Sequence, residues 1–218
     1  MMLVPVPGYG VGRLDPDGNL AAYLDRWLMS GHLWKPTWDP EGLLSTFPAI
    51  ATILLGALAG GWLRSERNSR AKAAGLIVAG AVGLAAGELL GLWFPINKNL
   101  WTSSYVVFTG GFAAMLLGLC YGLVEVRGYR RWGTPFEVFG TNSIAVFWLS
   151  SFVGKASVSW KTALPDGRMV FLKTYVFERF FAPLASPVNA SLLFALTYVL
   201  FWLAVMWLLY RKRIFIRV

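Results

Sequence analysis

The chemistry-bearing side chains of this 218-residue chain are few, and each stands in a distinctive setting. Its one histidine, His32, is followed by Asp39 and Glu41 in a stretch broken by Gly31, Pro36, Pro40 and Gly42. An imidazole with two carboxylates close by is the raw material of a general base or of a metal site. The same carboxylates have a second use, since Asp39 or Glu41 beside the first turn of a following helix favours its positive N-terminal dipole. Glu88 lies in an apolar segment, where a carboxylate faces a protein interior or water. There it can accept a proton, pair with Lys98 or hold a structural hydrogen bond. The run Gly140-Thr141-Asn142-Ser143 places three hydrogen-bonding side chains in another apolar segment. The Asn142 amide both donates and accepts, toward a ligand or toward a neighbouring helix. The sequence shows no Ser–His–Asp spacing, no glycine-rich phosphate loop and no internal repeat. The single cysteine, Cys120, gives neither a disulfide framework nor a cysteine metal site, and no metal is expected.

The elements that must position these groups are apolar spans. Leu43–Leu63, Ala73–Phe94, Thr102–Val124, Pro135–Gly154 and Ala190–Tyr210 each approach the roughly 20 residues that cross a hydrocarbon core as a helix. Basic residues collect in every second gap: Arg64, Arg67, Arg70 and Lys72, then Arg127, Arg130 and Arg131, then the tail with Arg211, Lys212, Arg213 and Arg217. These clusters hold 11 of the 20 basic residues, so topology accounts for the net charge of +9 and a nucleic-acid partner is not expected. The positive-inside rule puts both basic loops and the C-terminus in the cytoplasm, and residues 1–42 outside. The expected fold is all-α, a polytopic bundle of about five spans with an interfacial helix near Phe171–Phe181. Its organisation is an external loop and short amphipathic helix over 1–42, then the bundle over 43–218.

Within residues 1–42 the spacing of Leu20, Tyr23, Leu24, Trp27 and Leu28 predicts a short amphipathic helix from Leu20 to Met29, capped by Asn19. Exporting this segment with no preceding span is awkward, which suggests that earlier spans belong to the protein. In the second span Gly75, Ala79, Gly83, Gly87 and Gly91 recur every fourth residue. Gly110, Ala114, Gly118 and Gly122 do so in the third, and Gly56 and Gly60 in the first. Such stripes let helix backbones approach closely.

Several stretches resemble the heparan-α-glucosaminide N-acetyltransferase family and its bacterial relatives. They are Trp38-Asp39-Pro40-Glu41-Gly42-Leu43-Leu44-Ser45-Thr46, Pro95-Ile96-Asn97-Lys98-Asn99-Leu100-Trp101-Thr102-Ser103-Ser104-Tyr105, and Gly133-Thr134-Pro135-Phe136 with Gly140-Thr141-Asn142-Ser143-Ile144. Gly8-Tyr9-Gly10, Tyr23-Leu24-Asp25-Arg26, Gly31-His32-Leu33 and the tail from Leu209 to Phe215 fit as well. The stretch around Asn97–Trp101 is the most specific.

The resemblance implies a multi-pass enzyme that moves an acetyl group from acetyl-CoA to a terminal amino sugar or related glycan, in a bacterial inner membrane with its C-terminus cytoplasmic. It also implies that the family's catalytic histidine lies in an N-terminal half that this chain does not match. His32 corresponds to a later position and remains a weak catalytic candidate. The chain then looks like the C-terminal half of the architecture, completed by an N-terminal half or a partner membrane subunit. On this reading Asn97, Lys98, Asn99, Trp101 and Asn142 bind substrate or CoA, and Asp39, Glu41, Glu88 and Ser143 give polar support. Trp93 and Phe94 anchor the interface or stack on a sugar. Two other classes fit the helices alone: a non-catalytic partner subunit, and half of a small-solute transporter.

Overall fold

The computed structural model describes residues 1–216; Arg217, counted above with the basic tail, and Val218 lie outside the described residues. The chain is an all-α polytopic membrane protein whose helices fall into two compact units, Met1–Tyr129 and Arg130–Val218. Among the described residues four helices are long and apolar enough to cross a membrane, and a bent pair raises the number to five if it counts as one span.

In the first unit α1 (Leu20–Met29) precedes the spans α2 (Leu43–Arg64), α3 (Ser69–Gly91) and α4 (Ser103–Tyr121), the last prolonged by a π turn over Gly122–Val126. Helix α1 begins as its sequence requires, with the Asn19 side chain accepting from Ala22 N at 2.8 Å. Asn68 caps α3 in the same way through Ala71 N at 2.8 Å. Helices α3 and α4 form a tight antiparallel pair whose seam is rotated from the expected stripes. A Cβ at Gly80 would lie 2.5 Å from Met115 N, one at Gly87 2.6 Å from Phe108 Cα, and one at Gly111 2.6 Å from Leu84 N. Gly83, Gly87 and Gly118 belong both to this seam and to the stripes. Gly75 instead abuts the Trp62 ring and Gly110 the Leu55 side chain, while Gly56 faces open space. The physical criterion is backbone approach across one line, which the four-residue repeat only partly follows.

The second unit corrects the fourth span. In place of one straight helix over Pro135–Gly154, α5 (Thr134–Thr141) and α6 (Ser143–Ser159) meet at a 71° bend. Asn142 leaves the helical region there, with φ −129° and ψ 36°. A β-hairpin unforeseen in the sequence follows: β1 (Lys161–Ala163) pairs antiparallel with β2 (Met169–Phe171), Thr162 opposite Val170. Gly167 makes the turn with φ +83°. The expected helix near Phe171–Phe181 is present as α7 (Leu172–Val176) running into a π turn over Phe177–Phe181. The spanning helix α8 (Pro187–Arg211) ends the unit. Val138 of α5 packs against Trp202 and Met206 of α8, all three buried.

Candidate functional site

The turn between α3 and α4 is tied together by hydrogen bonds from end to end. Asn97 Oδ1 accepts from Asn99 N at 2.9 Å and from Leu100 N at 3.3 Å. Asn97 N donates to Thr102 Oγ1 at 3.0 Å, and Thr102 O–H donates to the Pro95 carbonyl at 3.0 Å. The Ser104 hydroxyl donates to the Phe94 carbonyl at 2.5 Å. Thr102 also caps α4 through Tyr105 N at 3.3 Å. These bonds hold Trp101 at φ +50°, a left-handed conformation that costs an L residue about 1–2 kcal/mol. Its indole N–H donates to Thr52 Oγ1 on α2 at 3.1 Å, and its ring meets Tyr105 edge-on at 5.3 Å. The turn is thereby pinned to all three spans of its unit.

This geometry separates the two halves of the Asn97 amide. The oxygen is consumed by the turn, which directs the Nδ2 donor away from it. Among the described residues no hydrogen bond engages Asn97 Nδ2, the Lys98 ammonium or the Asn99 side chain, and Lys98 and Asn99 are exposed. The rigid turn therefore presents two amide groups and one cation at the end of the unit where α2 and α4 begin. Amides and an ammonium on a fixed backbone suit hydroxyl, carbonyl or anionic groups.

A second polar device at the same end escaped the sequence reading as a site. Asp25, inside α1, is fully buried, and its Oδ1 accepts from Leu43 N, the first amide of α2, at 3.0 Å. Gly42, the residue preceding α2, has no side chain to cap it, so Asp25 performs that office from 18 residues away. The other oxygen, Oδ2, is buried without a partner among the described residues, and Gly42 lies against it so closely that a Cβ would stand 1.9 Å away. Burial pushes the Asp25 carboxyl above the usual carboxylate range; the Asp39 charge adds to this, while the Leu43 N–H bond and Arg26 oppose it. The only sequence sign of this residue was its place in Tyr23-Leu24-Asp25-Arg26.

Asp39 turns out to organise its own loop, accepting from Trp34 N at 2.9 Å and Glu41 N at 2.8 Å, and neither Asp39 nor Glu41 falls in the first turn of α2. His32 is exposed, and its Nδ1 lies 3.3 Å from the Ser30 carbonyl. Among the described residues no three His, Cys, Asp or Glu side chains are grouped to hold a metal. Glu88 is exposed on α3, one turn from its end. In the second unit Asn142 is fully buried: Nδ2 donates to the Ile214 carbonyl at 3.1 Å and Oδ1 accepts from Ile216 N at 2.9 Å. Both faces of that amide hold the C-terminal tail against the α5–α6 bend, and Ser143 is exposed beside it.

No family model matches the chain. Against curated proteins it is 34% identical over 178 residues to the heparan-alpha-glucosaminide N-acetyltransferase of Homo sapiens, covering 66% of this chain and 26% of the human protein. To the Mus musculus protein of the same name it is 32% identical over 175 residues, again covering 66% of this chain and 26% of the relative. The chain is a partial relative of these acetyltransferases. It spans about a quarter of the length of the curated relatives it matches. Similarity to these N-acetyltransferases, and four span-like helices among the described residues, mark it as an integral membrane, acetyltransferase-like protein.

Proposed function

We propose that this chain forms part of an acetyl-CoA-dependent N-acetyltransferase acting on a terminal amino sugar, and that the α3–α4 turn faces its ligands. The observation that carries the reading is the identity to two N-acetyltransferases over two thirds of the chain. The free donors of the Asn97–Asn99 turn support it. Acetyl transfer to an amine needs a base near the nitrogen and donors toward the developing oxyanion. Asn97 Nδ2 is the donor whose direction the fold fixes, and Lys98 attracts the anionic groups of a substrate. The family resemblance assigns the base to an N-terminal half that this chain does not match, and His32, exposed with its Nδ1 against the Ser30 carbonyl of its own loop, stays a weak candidate. Asp25 acts through α2, holding the segment before it in place.

The proposed topology follows the basic loops. The α2–α3 and α4–α5 connections and the C-terminus lie in the cytoplasm of a bacterial inner membrane, and the ends carrying Asn97 and the β-hairpin lie outside. Reporters fused within Arg64–Lys72 and within Pro165–Lys173 should read cytoplasmic and external respectively. Function is tested by following labelled acetyl from acetyl-CoA to glucosamine in membranes that hold this chain alone, or together with the product of the coding region upstream of it. Acetylated sugar in the combined membranes supports the proposal. Solute uptake without consumption of acetyl-CoA would favour a carrier. Turnover by the chain alone, abolished by His32→Ala, would make His32 the base.

A further inference from the structure

The second unit contains a cleft of about 890 Å³ between α6, α7 and α8, well within the size range of small-molecule sites. Its mouth is polar. Lys173 and Thr174 of α7 and Ser191 of α8 line it, and none of these three side chains has a hydrogen bond or ion pair among the described residues. The acids of the neighbouring segment, Asp166 and Glu178, both pair with Arg168 and not with Lys173. Arg168 Nε lies 2.6 Å from Asp166 Oδ2, and its Nη2 lies 3.3 Å from Glu178 Oε2.

Below the mouth the wall changes character. Phe177 and Phe194 meet edge to face with ring centroids 6.0 Å apart. Tyr198 turns its hydroxyl onto the Ser150 carbonyl at 2.8 Å and so leaves its ring to the cleft. From Ser191 to Tyr198 the cleft descends about 10 Å along α8, a helix that crosses the membrane. The one cation of the lining with two free hydroxyls, beside a wall of aromatic and small residues in which the Ser150 and Ser157 hydroxyls are bonded to carbonyls of their own helix, matches a phosphodiester attached to an acyl chain.

We infer that this cleft binds one anionic phospholipid, its phosphate on Lys173, Thr174 and Ser191 and an acyl chain against Phe177, Phe194 and Tyr198. A glycan has no use for an apolar shaft of that depth, and a zwitterionic lipid leaves Lys173 only partly compensated. The test is native mass spectrometry of the purified, delipidated chain titrated with phosphatidylglycerol or with phosphatidylcholine of the same acyl composition. The wild type should retain one phosphatidylglycerol in preference to phosphatidylcholine. Lys173→Gln should lower that preference about 5-fold, the factor corresponding to one lysine at a lipid surface. Lys155→Gln, on exposed α6 surface outside the cleft, should leave it unchanged, and Ala195→Trp should block both lipids by filling the shaft. Equal retention of the two lipids by the wild type, or a preference that survives Lys173→Gln, would overturn the inference. Displacement of phosphatidylglycerol by a soluble uronic-acid oligosaccharide would reassign the cleft to a glycan and equally overturn it.

Discussion

Replacing Gly42 by alanine adds one methyl group to a residue whose backbone, at φ −69° and ψ 177°, any amino acid adopts. Conformation therefore costs nothing, and the whole effect comes from the position of the methyl, 1.9 Å from Asp25 Oδ2. The carboxylate must move, and its bond to Leu43 N breaks. Loss of a helix cap costs about 0.5–2 kcal/mol. Leaving a buried acceptor and an amide unpaired adds about 1–3 kcal/mol. A total of about 1.5–5 kcal/mol is expected for Gly42→Ala, read from denaturant unfolding in detergent and from faster proteolysis between α1 and α2. The double variant with Asp25→Ala supplies the control. Once the carboxylate is gone the methyl has room, so the double variant should be little worse than Asp25→Ala alone, a coupling close to the full cost of Gly42→Ala. Additive effects, or a Gly42→Ala protein within about 0.5 kcal/mol of the wild type, would refute the claim that Asp25 caps α2.

The raised Asp25 pKa fixes the sign of a pH effect: its contribution to stability is fully present below the ordinary carboxylate range and is lost as pH rises through the folded value. The proteolytic resistance of the α1–α2 connection should thus increase on acidification from neutrality, and Asp25→Asn should flatten that response. Across the α3–α4 seam, Gly80→Leu or Gly111→Leu should cost several kcal/mol because the neighbouring atoms are backbone, whereas Gly56→Ala should be neutral; detergent unfolding distinguishes them. Asn142→Leu removes both bonds to the tail and should expose residues 212–216 to carboxypeptidase, with about 1–3 kcal/mol lost from the second unit.

Much of the fold was legible because hydrophobic length and caps are local signals. Asn19, the Leu20–Met29 periodicity and four of the spans could be read directly, since each depends on residues adjacent in sequence. The break at Asn142 was not legible: a polar run inside an apolar segment fits a ligand contact, a helix contact or a bend, and its partners lie more than 70 residues away. The β-hairpin had a signal, Asp166-Gly167 between short apolar runs, but it lay in a stretch to which no element was assigned, just ahead of the helix expected near Phe171–Phe181. Asp25 shows the same limit at shorter range. Nothing in an Asp inside an amphipathic helix announces that it caps another helix. Around Asn97 the sequence pointed to the turn between α3 and α4, while only the hydrogen bonds reveal that one half of the amide builds it and the other half has no partner among the described residues.

That division permits the most direct measurement. Asn97→Asp keeps the oxygen that accepts from Asn99 N and Leu100 N and removes the Nδ2 donor, whereas Asn97→Ala removes both. Acetyl transfer from acetyl-CoA to glucosamine is to be measured in membranes containing this chain and its upstream-encoded region, with protein levels followed in parallel. The account predicts acetylated sugar from the wild type and a loss of about 10-fold for Asn97→Asp at unchanged protein level, the effect of one hydrogen bond to a ligand. No transfer by the wild type, or full activity in Asn97→Asp, would contradict it.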